Sequence, residues 1–448
     1  MRFGMIASIG IAWLCLASEP AFAAVGLSVP QEIQSLYDKS EYQKAIEAIG
    51  KLDKEKVAVP DVRRLKIHSL LKLGNPKEAL EEYDKLERGL KQDDESVLRE
   101  VALGFIVVIM KDMREQMRGA AYTALKEIDS DDAIPYLEDG LSDGSGPVRM
   151  LAVEGLGRSE AGRKSKKLQA VLDDQAGLVK ARAVKILGKS GDRSVIPLIE
   201  AATKDELATV RIAAYGALIR LGRKEAWDQL RRGIEAPNPE DRAESIRTIA
   251  DLNDSRAVPA MMGMLTYKQP SVRAAAARGL GHLKVKEARG SIEQLLKDPI
   301  PALRQTAATS LADLGGNESV PALRQALNDG AFTVRAAVVA ALLQLDQPFE
   351  TVAPTVRGLV QQNDTAARSS AAFALGKATN SNAQGAIAVL TDLAGDPLPG
   401  PKIVAFRSLG HIGDHRILPL LKAGLHDQNE AVRATAAGAV LHILSQNK

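Results

Sequence analysis

The sequence predicts an all-α fold, a right-handed α-solenoid (α-α superhelix) of stacked antiparallel helix pairs. Three observations predict it: a basic-residue motif that recurs at a near-constant interval, a glycine column eleven positions after that residue, and a proline column seventeen after it. The motif reads V-R-x-x-A-x-x-x-L. Its basic residue falls at Arg118, Arg149, Lys180, Arg211, Arg242, Arg273, Arg304, Arg335, Arg368, Lys402 and Arg433. The steps from Arg118 to Arg335 are all equal, those to Arg368 and Lys402 are slightly longer, and the last returns to the common length. Eleven repeats with two small insertions therefore occupy 95–448. Self-similarity at such a period is the signature of a repeat array.

Within each repeat, positions −1, +3, +4 and +7 about the basic residue share one side of a helix. The +3 column holds Ala121, Ala152, Ala183 and Ala214, and the +7 column holds Leu125, Leu156, Leu187 and Leu218. That is an amphipathic helix whose small residues let neighbours approach closely. Gly191, Gly222, Asn253, Gly315 and Gly413 stand where a left-handed residue ends this helix. Pro135, Pro197, Pro259, Pro321 and Pro419 open the next one, because proline is tolerated only in a first turn. A helix pair cannot bury its apolar stripe alone, so repeats stack on one another. At roughly 8–10 Å between packed helices, eleven of them give a contour of about 100 Å.

The N-terminal segment 1–23, MRFGMIASIGIAWLCLASEPAFA, reads as a secretory signal peptide cleaved after Ala23. Arg2 precedes an apolar run over 4–17, and Ser18, Glu19 and Pro20 then break it ahead of Ala21-Phe22-Ala23. The run falls short of the roughly 20 residues that span a bilayer, which predicts no transmembrane segment once the peptide is removed. Cys15 is the single cysteine of the chain, so a disulfide framework and a thiol nucleophile are both excluded from the mature form. A cysteine-free mature chain suits an oxidising compartment, and the predicted location is periplasmic or secreted.

Of the 448 residues, 45% are hydrophobic and 26% charged, the balance of an ordinary folded protein. With 59 basic and 56 acidic side chains the net charge is only +3, and aromatics make up 4%. Neither the charge nor the stacking platforms of a nucleic-acid binder are present, so nucleic acid is not a predicted partner.

Six positions before the basic residue stand Asp143, Asp174, Asp205, Asp298, Asp329, Asp396 and Asp427. The combination D-x(5)-R-x-x-A-x-x-x-L resembles the HEAT repeat, and the short period with Gly157, Gly188, Gly281, Gly376 and Gly410 after the leucine resembles the HEAT-like repeats of phycobilin lyases. The resemblance implies an armadillo-like helical array but no single activity, because such repeats serve unrelated proteins. The Asp and Arg columns are predicted to cap helices and bridge neighbours as a structural ladder. Arg242, Arg273 and Arg368 lack the aspartate, and Pro401 replaces the usual valine before Lys402, which predicts looser or bent repeats there.

The segment 31–92 follows another rule. Ser40-Glu41-Tyr42-Gln43-Lys44-Ala45-Ile46-Glu47 and Gly74-Asn75-Pro76-Lys77-Glu78-Ala79-Leu80-Glu81 align with each other, Ser40 over Gly74, and resemble the centre of tetratricopeptide repeats. Lys66 and Ile67 depart from that pattern. Two such repeats are predicted, followed by a helix from Asp93, Asp94 and Glu95 through Met110; a pair here would also cover the open end of the larger array.

No phosphate-binding loop appears. The His-Glu dipeptides by which the deoxyhypusine hydroxylases, also HEAT-like, hold iron are absent, because Ser69, Leu283, Ile412, Arg416, Asp427 and Ile443 follow the six histidines. His282, His411 and His442 share offset +9, but with no carboxylate beside them they are read as solvated helix-end residues. No catalytic residue, metal or cofactor is predicted. What remains is a surface. Offsets +2, +5 and +9 lie opposite the buried stripe and predict a concave face with a basic bias: Lys185, Arg247, Arg278 and Arg407 at +5, and Arg158, Lys189 and Arg220 at +9. The stretch 149–232 carries 18 basic and 10 acidic side chains, against 14 and 16 over 31–110. The predicted function is a non-catalytic exported bacterial scaffold whose concave face binds a protein or peptide, acidic where Lys185, Arg247 and Arg278 meet it. Two alternatives are a phycobilin-lyase-like enzyme or enzyme subunit, disfavoured by export, and a binder of anionic envelope polymer or lipid.

Overall fold

The computed structural model describes residues 29–128, 130–379 and 381–446. The signal-peptide segment and Cys15 lie outside the described residues. All regular structure among the described residues is helical. The chain forms two compact units, one ending at Gly104 and the other beginning at Phe105.

In the first unit, helices Gln31–Asp38, Tyr42–Gly50 and Pro60–Lys72 close over Ile33, Ala45, Ile49, Val62 and Leu65. Pro60 and Pro76 each sit in a first turn, and Gly74 at φ 77° makes the reversal between Pro60–Lys72 and Pro76–Leu90. Lys66, anomalous as a tetratricopeptide residue, has a charged partner. Its Nζ donates to Glu82 at 2.9 Å, beside Arg63 at 3.0 Å and Lys85 at 2.8 Å, so the buried carboxylate is matched by three cations. Burial pushes the Glu82 carboxyl up, yet Lys85 and Lys66 carry it below its usual range. Tyr83, fully buried, donates its hydroxyl to Asp93 at 2.7 Å. The next helix, Glu95–Val107, is capped by Asp94 and stops short of Met110.

In the second unit, the helices bearing the basic residues run Glu115–Glu127, Gly146–Leu156, Gly177–Lys189, Ala208–Arg220, Pro239–Asp251, Pro270–His282, Pro301–Leu314, Phe332–Gln344, Thr365–Leu375, Pro399–Ile412 and Glu430–Ser445. Each packs directly on the next, whereas the intervening helices pack on the inner helices that flank them. The first set is therefore the inner layer of a curved array and the second set the outer layer. Pro135, Pro197, Pro259, Pro321 and Pro419 all occupy the first turn of an outer helix, as their spacing predicts. Gly191, Gly222, Asn253, Gly315 and Gly413 all have positive φ, and Lys284 and Asp346 extend the same column without glycine. The two insertions lengthen outer helices, which reach twelve residues in Phe349–Val360 and Ala383–Ala394 against seven in Val258–Met264.

The Asp–Arg ladder is present in atomic detail. Asp174 accepts from Arg149 Nε at 2.6 Å and Nη2 at 2.8 Å, and from the backbone N–H of Ala176 at 2.7 Å. One carboxylate thus fixes the turn that leads into its own inner helix, whose N-cap is Ala176 rather than the aspartate predicted to cap it, and holds the guanidinium of the preceding repeat. The same pairing joins Arg118 to Asp143, Lys180 to Asp205, Arg273 to Asp298, Arg304 to Asp329, Arg368 to Asp396 and Lys402 to Asp427. Repeats lacking the aspartate are not loosened at their own arginine. Arg242, Arg273 and Arg368 still donate to the backbone carbonyls of Ala236, Tyr267 and Gln362, because a carbonyl stands at −6 whatever the side chain. The missing rung falls one repeat earlier: Arg242 stacks on Tyr267 at 4.6 Å, while Arg211 keeps only the carbonyls of Asp205 and Glu206.

The array closes on itself. The last inner helix, Glu430–Ser445, packs against the first, Glu115–Glu127, so the eleven inner helices form a ring rather than an open superhelix. Closure reuses the internal register. Within the array a small residue at +5 or +8 meets the +6 residue of the next repeat: a Cβ on Gly188 would stand 2.6 Å from Ala217 Cα, and one on Gly216 2.4 Å from Thr248 Cγ2. At the seam a Cβ on Gly438 (+5) would stand 3.1–3.3 Å from Ala124 (+6). Asp112, six before Arg118, is chelated by Arg114 at 2.9 and 2.7 Å, and Arg114 reaches Glu430 at 2.7 Å. Val432, Val440, Ile443 and Leu444 are fully buried. Leaving such side chains exposed costs about 1.5–3 kcal/mol each, so an uncovered last helix would be strongly disfavoured.

Candidate functional site: the inner face of the ring

Bonds that skip a repeat identify the face turned toward the ring axis. Lys185 of the third repeat donates to Glu244 of the fifth at 2.6 Å, and His411 of the tenth meets Glu127 of the first at 2.8 Å. Side chains two repeats apart meet only where they converge, so offsets +2, +5 and +9 line the inside, as predicted. Eleven helices spaced about 9–10 Å on a closed circle put its diameter on the order of 30 Å, which leaves a lumen of roughly 20 Å. A single helix or an extended segment fits that opening; a folded domain does not.

The candidate cations have separate fates. Lys185 and Arg247 share Glu244, at 2.6 and 2.9 Å, and this corrects the reading in which they and Arg278 await an acidic segment. Two of those three charges are already neutralised by a half-buried carboxylate at +2, an offset that the spacing puts on this face without pairing it to them. Arg278 donates to Thr306 Oγ1 at 3.1 Å, Arg158 to Glu127 at 3.3 Å, and Arg220 to the backbone carbonyl of Asp251. Lys189 is exposed and holds no carboxylate among the described residues; burial lowers its ammonium, with Arg220, Arg182 and Lys185 adding like charge and Asp251 opposing. Arg407 lies half-buried at the seam, where burial lowers it and Glu127 opposes. The structure therefore brings together a cationic arc in the second to sixth repeats, crossed by Glu154, Glu244 and Asp251, and places Arg407 apart from it.

The opposite arc is apolar or small. Thr309, Ala340 and Phe373 continue the +5 column, and Phe373 is 61% exposed. Charge-based reasoning missed it, although an aromatic in a column of otherwise polar and small residues was a readable signal.

At the seam, burial pushes the Glu127 carboxyl up, but the hydrogen bond and charge of His411, with Arg158 and Lys126, bring it down to about 2. His442 Nδ1 lies 3.1 Å from the Glu127 backbone oxygen, and the two imidazoles meet edge to face at 6.4 Å. His411 thus does have a carboxylate beside it, supplied by the first repeat through ring closure, while His442 meets the backbone of the same residue. Among the described residues no group of three or more histidine, cysteine, aspartate or glutamate side chains is placed to hold a metal ion. Nor is any described helix long and apolar enough to cross a membrane.

The model of the HEAT repeats family matches residues 103–176, 165–236, 228–289, 268–343, 289–376 and 352–442. No curated protein matches the chain. Among solved structures, human deoxyhypusine hydroxylase is 19% identical, covering 56% of this chain and 98% of its own at a TM-score of 0.33. The CpcE–CpcF complex of phycocyanin lyase from Nostoc is 21% identical, covering 56% and 94% at 0.36. Kap95p bound to RanGDP is 11% identical, covering 89% and 62% at 0.35. The repeated family match, together with the helix pairs and the ladder that joins them, shows that this chain belongs to the HEAT-repeat family.

Proposed function

We propose that the protein is a non-catalytic scaffold, exported from a bacterial cytoplasm, that holds a polypeptide segment of a partner against the inner face of its ring. The observation that carries this reading is the division of labour among offsets. Positions +3, +6, +7 and +8 are occupied in helix packing, whereas +5 and +9 present Lys189, Arg278 and the exposed Phe373 inward without a comparable packing role. An aromatic anchor facing a cationic arc fits a segment carrying an apolar residue on one side and carboxylates on the other. The width of the lumen limits that segment to one helix or strand. The N-terminal unit joins the proposal as a pair of tetratricopeptide-like repeats.

A photo-crosslinking amino acid placed at Phe373, and separately at the exposed outer-layer residue Leu198, tests the reading in the intact envelope. The proposal requires a discrete cross-linked partner from position 373 and none of the same partner from 198. Equal cross-linking from both faces, or none from 373, contradicts it.

A further inference from the structure

We propose that the notch over Gly438, on the inner face at the ring seam, is a binding site for a carboxylate group, with the Arg407 guanidinium as its cation. The +5 residue of the inner helix is glycine at two places in the ring. In the fourth repeat it is Gly216, flanked by Lys185 at +5 of the third; the ammonium crosses the notch and is held at 2.6 Å by Glu244, at +2 of the fifth. In the eleventh repeat it is Gly438, flanked by Arg407 at +5 of the tenth. The residue equivalent to Glu244 is now Ala120, at +2 of the first repeat. Ring closure makes the two settings equivalent, because Gly438 meets Ala124 in the register in which Gly216 meets Thr248. One notch thus carries its own carboxylate, and the other has the cation without it.

The surroundings of Arg407 match that role. A cavity opens there between the inner helices of the tenth, eleventh and first repeats, lined by Arg407, Gly438, Thr123, Thr435, His411 and His442. Gly438 is part of its lining, and a Cβ there would stand 3.1 Å from Ala124 Cβ. Glu127 borders the cavity, but its carboxylate is already engaged by His411 and Arg158. Arg407 donates no hydrogen bond to it, and the guanidinium keeps its planar pair of donors for an external oxyanion. The Thr123 hydroxyl and the His411 and His442 rings line the cavity beside that pair. The space admits a single small group, so the ligand is a carboxylate carried on a slender stem rather than a bulky polyanion.

This inference stands apart from the proposed polypeptide partner and is tested without one, using acetate as the probe. Thermal unfolding of the chain from Ala24 is followed in sodium acetate and in sodium chloride at matched ionic strength. The wild type should melt at least about 2 °C higher in acetate, saturably, because a ligand that binds only the folded state raises its melting point. Arg407→Gln should remove the difference. Ala120→Glu, which restores the internal carboxylate of the fourth-repeat notch, should raise the melting point in chloride and abolish the acetate response. An acetate response shared by wild type and R407Q, or retained in A120E, overturns the proposal; should R407Q fail to fold, A120E alone decides it.

Discussion

His411 Nε2 and Glu127 Oε2 stand 2.8 Å apart although 284 residues separate them in the chain. The contact exists only because the first and last inner helices pack together, and it makes the seam sensitive to acid. The folded-state pKa of Glu127, about 2, lies below its usual 4.5, so its contribution is complete above pH 4.5 and is lost as pH falls toward 2. Glu127→Gln should lower the melting point by about 2 °C at pH 7, and the difference from wild type should shrink across that window. A gap of the same size at both ends of the window would mean that the side chain acts by packing alone.

The ladder predicts unequal costs along the array. Arg149 and Asp174 are 8% and 7% exposed at their side chains, and Asp174→Ala leaves the guanidinium without its partner and the turn before the next helix without its hydrogen bond. A loss of about 2 kcal/mol in chemical denaturation is expected. Ala236→Asp supplies the carboxylate that Arg211 lacks and should stabilise by about 0.5–1 kcal/mol. Asp174→Ala without cost, or Ala236→Asp destabilising, would show that the rungs do not carry load between repeats.

The signal-peptide reading predicts that the mature chain begins at Ala24 and is recovered outside the cytoplasm. N-terminal sequencing of protein purified from an envelope extract checks both points. Recovery of Met1 on a cytoplasmic protein would reverse the proposal of export.

Most of the fold is written locally, and this is why it could be read. Pro197 fixes a first turn, Gly191 a left-handed helix end, and Asp174 the turn before an inner helix, each through one residue. Closure has no local code. Its signal was an absence, since a terminal helix of a solenoid needs a polar outer face, whereas residues 431–441 read AVRATAAGAVL and all are buried. The neutralisation of Lys185 was hidden for a related reason: its partner Glu244 lies two repeats away, and only the curvature of the array brings the two within reach. Offsets along a helix reveal which way a side chain faces, not which distant repeat it will meet.

Ring closure is tested most directly by a disulfide across the seam, between Ala124→Cys and Gly438→Cys in a chain from Ala24, which has no other cysteine. A Cβ on Gly438 would stand 3.1 Å from Ala124 Cβ, close enough that relaxation by a few tenths of an ångström reaches the roughly 3.5–4.5 Å of a disulfide. Closure predicts near-complete oxidation in dilute solution to an intramolecular product that runs anomalously on non-reducing gels, with an unchanged radius of gyration by small-angle scattering. Thiols that stay free, or that pair only between molecules, would contradict it.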